Sequence, residues 1–200
     1  MVSEVNIDKI MPKVTVALDN LLAKTDFDSL TVKSIAEEMG ISRQYFYRAF
    51  ADKYALIVDL FEYDIKRGAD VFFYPRYSQI YILSYFMENR KIYKSILLSS
   101  YAPYLYDVMF NYGIEFVHAM AEMTMKTLSK EQENHLRLYI SGVTSLLARA
   151  VVGSERFTKE ELDRIFYDNT PDFLEAFKGE TVPGEYIFYK IKKYREKHIV

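Results

Sequence analysis

Ile7, Ile10, Met11, Val14, Ala17, Leu18, Leu21 and Leu22 recur at three- and four-residue steps, the stripe of an amphipathic helix. Proline lacks the N–H that a helix interior needs, so Pro12 belongs in an early turn and the helix should run from near Asp8 to near Lys24. Thr31 is placed to cap a short helix from Val32 to Met39, with Val32, Ile35, Ala36 and Met39 inward, and Gly40 can take the left-handed backbone that ends it. Ser42 opens the next helix, Arg43 to Phe50, which turns Phe46 and Phe50 to one side. Asp52 caps a fourth carrying Leu56, Ile57, Leu60, Phe61 and Ile65.

Beyond Tyr74-Pro75 the helical pattern continues over about 76–88, 90–99, 103–127, 130–152, 158–177 and 184–197. Pro103 suits a first helical turn, while Ser129 with Gln132 and Thr158 with Glu161 have the spacing of capping boxes. Thr170-Pro171 should kink or restart the penultimate segment. No run alternates with period two long enough for a strand. The pattern predicts an all-α chain: an N-terminal three-helix unit with a helix-turn-helix over about 1–55, then a helical bundle over 56–200, with nine to ten helices in all.

Composition narrows the possibilities. Half of the 200 residues are apolar and 27% are charged, a balance that excludes wholesale disorder. There is no cysteine, which removes disulfides, thiolate metal sites and cysteine nucleophiles. No stretch approaches 18 consecutive apolar residues, and Met1 to Ile10 has no cationic segment leading into an apolar one, so no membrane association and a cytoplasmic location are expected. The net charge is −2, and residues 1–53 sum to −1 from 7 Lys and Arg against 8 Asp and Glu. That sum argues against phosphate binding only if cations and carboxylates are mixed in space. Locally, Arg43, Arg48 and Lys53 face Asp52 alone between Ser42 and Lys53, and Asp26, Asp28, Glu37 and Glu38 are expected on the far side.

Two short helices about a glycine turn, TVKSIAEEMGISRQYFYRAF over 31–50, have the layout in which the second helix enters a DNA major groove. Ile35, Ala36, Met39, Ile41, Phe46 and Phe50 would form its core, leaving Arg43, Gln44, Tyr45, Tyr47 and Arg48 outward. Arginine forks onto guanine, glutamine onto adenine, and a tyrosine hydroxyl reaches phosphate.

The run LTVKSIAEEMGISRQYFYRAFADKYAL, with Phe27 before it, resembles the DNA-binding domain of TetR-family transcriptional regulators. RQYFYRAFADK is similar in wording to the DhaS-like branch, some members of which act as co-activators. The resemblance implies that Thr31, Val32 and Lys33 begin the helix crossing the DNA backbone. It implies that Arg43, Gln44 and Tyr45 read bases, and that Tyr47, Arg48 and Lys53 grip phosphates. Ala49 departs from the pattern, standing where many relatives carry a polar residue. The resemblance also implies a ligand-responsive homodimer, a repressor released from a palindromic operator by a small-molecule effector. A co-activator working through a protein partner is the alternative.

Most of the 18 Tyr and 14 Phe lie in the larger half. Tyr81, Tyr85, Phe86, Tyr93, Tyr104, Phe110, Phe116, His118 and Met120 are the candidates for an effector pocket there, although aromatic stripes at helical spacing equally suit ordinary core. Ser141, Gly142, Ser145 and Ala148 form a small-residue face that would permit close helix approach, with Leu162, Ile165 and Phe166 on the next segment. The resemblance makes these a four-helix dimer interface; packing within one subunit is the other reading.

Glu115-x-x-His118 with Glu122 is half of a carboxylate-bridged metal pattern. The second half is missing, although Glu131 and His135 stand four apart, so no metal, cofactor or catalytic residue is expected; a metal-binding bundle is the weakest alternative. Lys190, Lys192, Lys193, Arg195 and Lys197 read as a solvated basic face.

Overall fold

The computed structural model describes residues 6–66, 86–154 and 157–177, together with Tyr186, Tyr189 and Lys193. Among these, every regular element is helical: α1 (Ile7–Leu21), α2 (Val32–Glu38), α3 (Arg43–Ala49), α4 (Lys53–Lys66), α5 (Arg90–Leu97), α6 (Ala102–Met123), α7 (Lys130–Val152), α8 (Lys159–Asn169) and a 3₁₀ turn over Asp172–Phe177. The segments expected at 76–88 and 184–197 lie almost wholly outside the described residues.

The predicted caps form. Ser42 accepts from Tyr45 N at 3.1 Å and Asp52 from Ala55 N at 2.8 Å, and Asn6, which the sequence pattern does not single out, caps α1 by accepting from Lys9 N. Ser129 with Gln132 and Thr158 with Glu161 close full capping boxes, and Thr31 closes one with Ser34 in place of the usual Glu or Gln. Pro12 sits inside α1, a turn further in than a proline is normally placed. Thr170 ends α8 in extended backbone, and the chain restarts as the 3₁₀ turn. Gly40 (φ +67°) and Gly153 (φ +82°) hold the left-handed positions after α2 and α7.

Both halves share one apolar core. Met11, Val14 and Leu18 of α1 close over Ile35, Phe46 and Phe50, while Leu56, Leu60 and Phe61 of α4 carry the core into the bundle. There α6 and α7 pack closely: a Cβ on Gly113 would lie 2.8 Å from Ile140 Cγ2, so only glycine permits this approach. Arg90 Nε donates to Val151 O at 2.9 Å, satisfying a carbonyl in the last turn of α7.

Candidate nucleic-acid interface

Phe46, fully buried, and Phe50 at 1% exposure pin α3 from beneath, their rings 5.2 Å apart. That anchoring decides which side chains of α3 reach solvent. Arg43, Gln44, Tyr47 and Arg48 are exposed on one element, and Tyr45 is half-buried at its edge. The Arg48 guanidinium lies 5.0 Å over the Tyr45 ring, a cation–π contact that holds both side chains over the helix flank. Thr31 and Lys33 are exposed at the start of α2, with Val32 half-buried between them. The array is chemically suited to DNA: planar donors at the start of a helix, and hydroxyls and cations beside them.

Two expectations about charge are corrected. Glu37 is not on a far side: it pairs with Lys33 at 3.8 Å one turn along α2, because residues four apart share a helix face. Lys53 does not stand at the surface with the arginines. Its ammonium is buried and donates to Phe27 O and Leu30 O, both at 2.8 Å, and more distantly to Asp28 O. It lies 4.8 Å from the Phe27 ring centre and 4.6 Å from that of Tyr101. Loss of solvent lowers its pKa, partly offset by the Asp28 and Asp26 carboxylates. The turn before α2 presents carbonyls that need a donor, and this lysine supplies it.

The larger half sorts the effector candidates into separate places. Phe86, Tyr93 and Met120 are interior, and Phe116 is half-buried beside them. With Phe61 and Tyr112 they build an aromatic layer between α4, α5 and α6: Phe86 lies 4.3 Å from Tyr93 and 5.8 Å from Phe61, and Tyr112 stacks on Phe116 at 6.3 Å. Tyr93 is committed to the fold, its hydroxyl donating to Asp64 Oδ2 at 2.6 Å, and burial beside that carboxylate raises its pKa well above the ordinary range. Phe110 is half-buried against the core. Tyr104 is elsewhere, exposed and 5.0 Å from Tyr54 near the N-terminal unit. Tyr81 and Tyr85 lie outside the described residues.

His118 bridges two helices. Its Nε2 is 3.0 Å from Glu133 Oε1 on α7 and its Nδ1 is 3.6 Å from Glu115 Oε1, and the two carboxylates raise its pKa. Both ring nitrogens therefore face acids, and among the described residues no group of three or more such side chains is arranged to hold a metal ion.

The small-residue face also divides. Ser141 and Gly142 are exposed, with nothing within 4 Å of a Cβ built on Gly142, and Ser145 and Ile165 are half-buried. Ala148, Leu162 and Phe166 are buried within the subunit, so these three pack this chain's own core; helical rotation carries each inward from the exposed positions. Leu138, 75% exposed one turn before Ser141 and Gly142, extends the open face; the sequence carries no signal for it, because a lone leucine on a polar helix is ordinary.

The sequence also hid Asp64, Asn89, Tyr112, Glu133 and the Asp28–Ser100 pair. Asp64 carried the only available signal, an acid in the apolar stripe of α4; it accepts from Asn89 Nδ2 at 2.8 Å as well as from Tyr93.

Residues 15–60 match the family described as bacterial regulatory proteins, tetR family, which spans the whole helix-turn-helix and the start of α4. Residues 15–60 are thus a DNA-binding domain of the tetR-family kind. Two solved structures share its overall fold. One is the dihydroxyacetone kinase operon activator DhaS, at TM-score 0.53 and 16% identity over 84% of this chain and 94% of that one. The other is a tetR-family transcriptional regulator from Streptomyces coelicolor, at TM-score 0.51 and 16% identity over 94% of this chain and 92% of that one. A search of curated proteins finds no match. Among the described residues, no helix is long and apolar enough to cross a membrane.

Proposed function

We propose that this chain is a TetR-family regulator, working as a homodimer that represses transcription from a palindromic operator and is released by a small-molecule effector bound in the helical bundle. The observation that carries the reading is the display of Arg43, Gln44, Tyr47 and Arg48 on one helix whose opposite side is locked into the core by Phe46. Arg43 and Gln44, at the helix start, would read base edges in the major groove. Thr31, Lys33, Tyr47 and Arg48 would position the protein on the phosphates. Lys53 serves the same end indirectly, by holding the turn from which α2 starts.

The open face at Leu138, Ser141 and Gly142 supports a two-fold dimer, which two half-sites about one helical turn apart require. The aromatic layer around Phe86, Tyr93, Tyr112 and Phe116 supports a flat, largely apolar effector, since it joins the α4 that enters the DNA-binding unit to the α5 and α6 of the bundle. The division of the chain near residue 55 is functional in this reading, with reading below it and sensing above.

Selection of duplex fragments bound from the source genome tests this directly. Recovered palindromes whose preferred bases change in Arg43→Ala or Gln44→Ala, while Tyr47→Phe weakens all sequences alike, would bear it out. Unchanged preference in both base-reading variants refutes the assignment. A fold shared with an operon activator favours a second reading in which the chain activates through a protein partner. A stoichiometric protein partner recovered with a dimer that selects no DNA fragments would decide for it.

A further inference from the structure

The turn between α1 and α2 is held at two points of different strength. Lys53 is the inner one, a buried ammonium satisfying two carbonyls at 2.8 Å. The outer one is Asp28, an exposed carboxylate that reaches out of the N-terminal unit to the corner between α5 and α6. Both of its oxygens accept from Ser100 N at 3.1 Å, and Oδ1 also accepts from Ser100 Oγ at 2.6 Å. The corner is stiffened internally: Ser99 Oγ donates to Ile96 O at 2.7 Å and accepts from Tyr101 N at 3.1 Å. Tyr101 then meets Phe27 edge-on, with ring centres 5.3 Å apart.

The helix leading into this corner is tied to the rest of the bundle. Arg90 beside its start grips the end of α7, and Asn89 and Tyr93 both donate to buried Asp64 of α4. Lys91 adds a further tie from α5 to α1, its ammonium 2.6 Å from Asp19 O and 3.1 Å from Asp19 Oδ1. On the DNA side only Ser29 and Leu30 separate Asp28 from Thr31, the cap of α2, and α2 packs directly on α3.

We propose that Asp28 and Ser100 form a releasable clamp that sets the orientation of the helix-turn-helix against the bundle, and that a shift of the α5–α6 corner opens it. The difference in burial is what makes the clamp releasable. Lys53 keeps the turn rigid in both conditions, because its carbonyl partners are shielded from water. Asp28 and Ser100 exchange their contact for water at small cost, as exposed groups do. An opening that costs so little responds to a modest ligand-driven movement of the corner.

This inference rests on the proposed DNA-binding role only for its consequence, and not for the clamp itself, so the test reads the two separately. The chain has no cysteine, so Gln44→Cys on α3 and Met123→Cys at the end of α6 give two unique spin-label sites. The full-length labelled chain, diluted into excess unlabelled chain, reports the distance between the reading helix and the bundle by pulsed electron resonance. Asp28→Ala should broaden that distance distribution, and Ser100→Ala, which keeps the backbone donor, should broaden it less. Unlabelled Asp28→Ala should bind the palindromic fragment recovered by the wild type about tenfold more weakly, with unchanged helical content. Distributions in both variants that superimpose on the wild type overturn the clamp. Broadened distributions in a chain that selects no DNA keep the clamp and refute the operator reading instead.

Discussion

Replacing Lys53 with methionine separates two physical accounts of one residue. Methionine keeps most of the apolar stem between the rings of Phe27 and Tyr101 but removes the ammonium that donates to Phe27 O and Leu30 O at 2.8 Å. Hydrogen bonds from a charged donor contribute about 1.5–3 kcal/mol each, and a buried carbonyl left without a donor costs about 1–3 kcal/mol. The ammonium's own desolvation, which is what lowers its pKa, is regained and offsets part of this. The net expectation is a loss of about 2–4 kcal/mol in folding stability. With a urea dependence of about 2 kcal/mol per molar, the unfolding midpoint should fall by about 1–2 M at fixed protein concentration. A lysine that instead reached out to phosphate would behave differently: the midpoint would stay, and the slope of log affinity against log salt would shrink by about one. The assay is therefore a pair, urea denaturation and salt-dependent binding to duplex DNA. An unmoved midpoint together with a slope reduced by one would refute the internal role of Lys53.

Two helical glycines should respond oppositely to alanine. Gly113→Ala gains about 1 kcal/mol of helix propensity but puts a Cβ 2.8 Å from Ile140 Cγ2, so thermal denaturation should show a net loss of up to about 2 kcal/mol. Gly142→Ala meets nothing within the subunit and should not lower its stability, while sedimentation should show weakened self-association; unchanged association would mean the dimer forms on another face. His118 carries a pH signature. Its pKa is raised above the ordinary 6.5, chiefly by the Glu115 carboxylate and also by Glu133, so its stabilising contribution is full below about pH 6.5 and disappears as pH rises through the raised value. His118→Gln should therefore lose more stability relative to wild type at pH 6 than at pH 8.5, and an equal loss at both would show that the histidine does not titrate against those acids.

The helices of the N-terminal unit were readable because their signals are local. Thr31, Ser42 and Asp52 cap with their own side chains, Gly40 takes the one backbone conformation that ends α2, and the three- to four-residue spacing of Ile35, Met39, Phe46 and Phe50 states which side is inward. The exposed residues of α3 follow from that spacing, since whatever is not inward on so short a helix is outward. Position along a helix does not say where a long side chain ends. Lys53 reads as a surface cation at a helix start, and it bends inward because carbonyls from residues 23 to 26 positions earlier need its donors. Charge balance alone points Glu37 to the far side, whereas its four-residue offset from Lys33 sets its place beside that lysine.

The larger half shows the opposite balance. Its helices were legible from capping boxes and apolar periodicity, but the roles of their aromatic residues were not. Three tyrosines end in three different places: Tyr93 is bound to a buried carboxylate, Tyr104 lies in the open beside Tyr54, and Tyr112 stacks within the aromatic layer. Ala148 and Gly142, both small and on one helix, face inward and outward respectively because a separation of six residues puts them about 120° apart around it.

Local chemistry alone was thus enough to write this chain as all-helical, with two short helices about a glycine turn near its start, because caps, turns and amphipathic period act within a few residues. The pairings across the fold came with packing: Lys53 with the carbonyls of residues 27 and 30, Asp28 with Ser100, Asp64 with Tyr93, and His118 with Glu133. Each joins groups 15 to 72 positions apart, and a side chain at that distance has no local preference for its partner. It acquires one only when the core has closed and left particular donors and acceptors with nowhere else to turn.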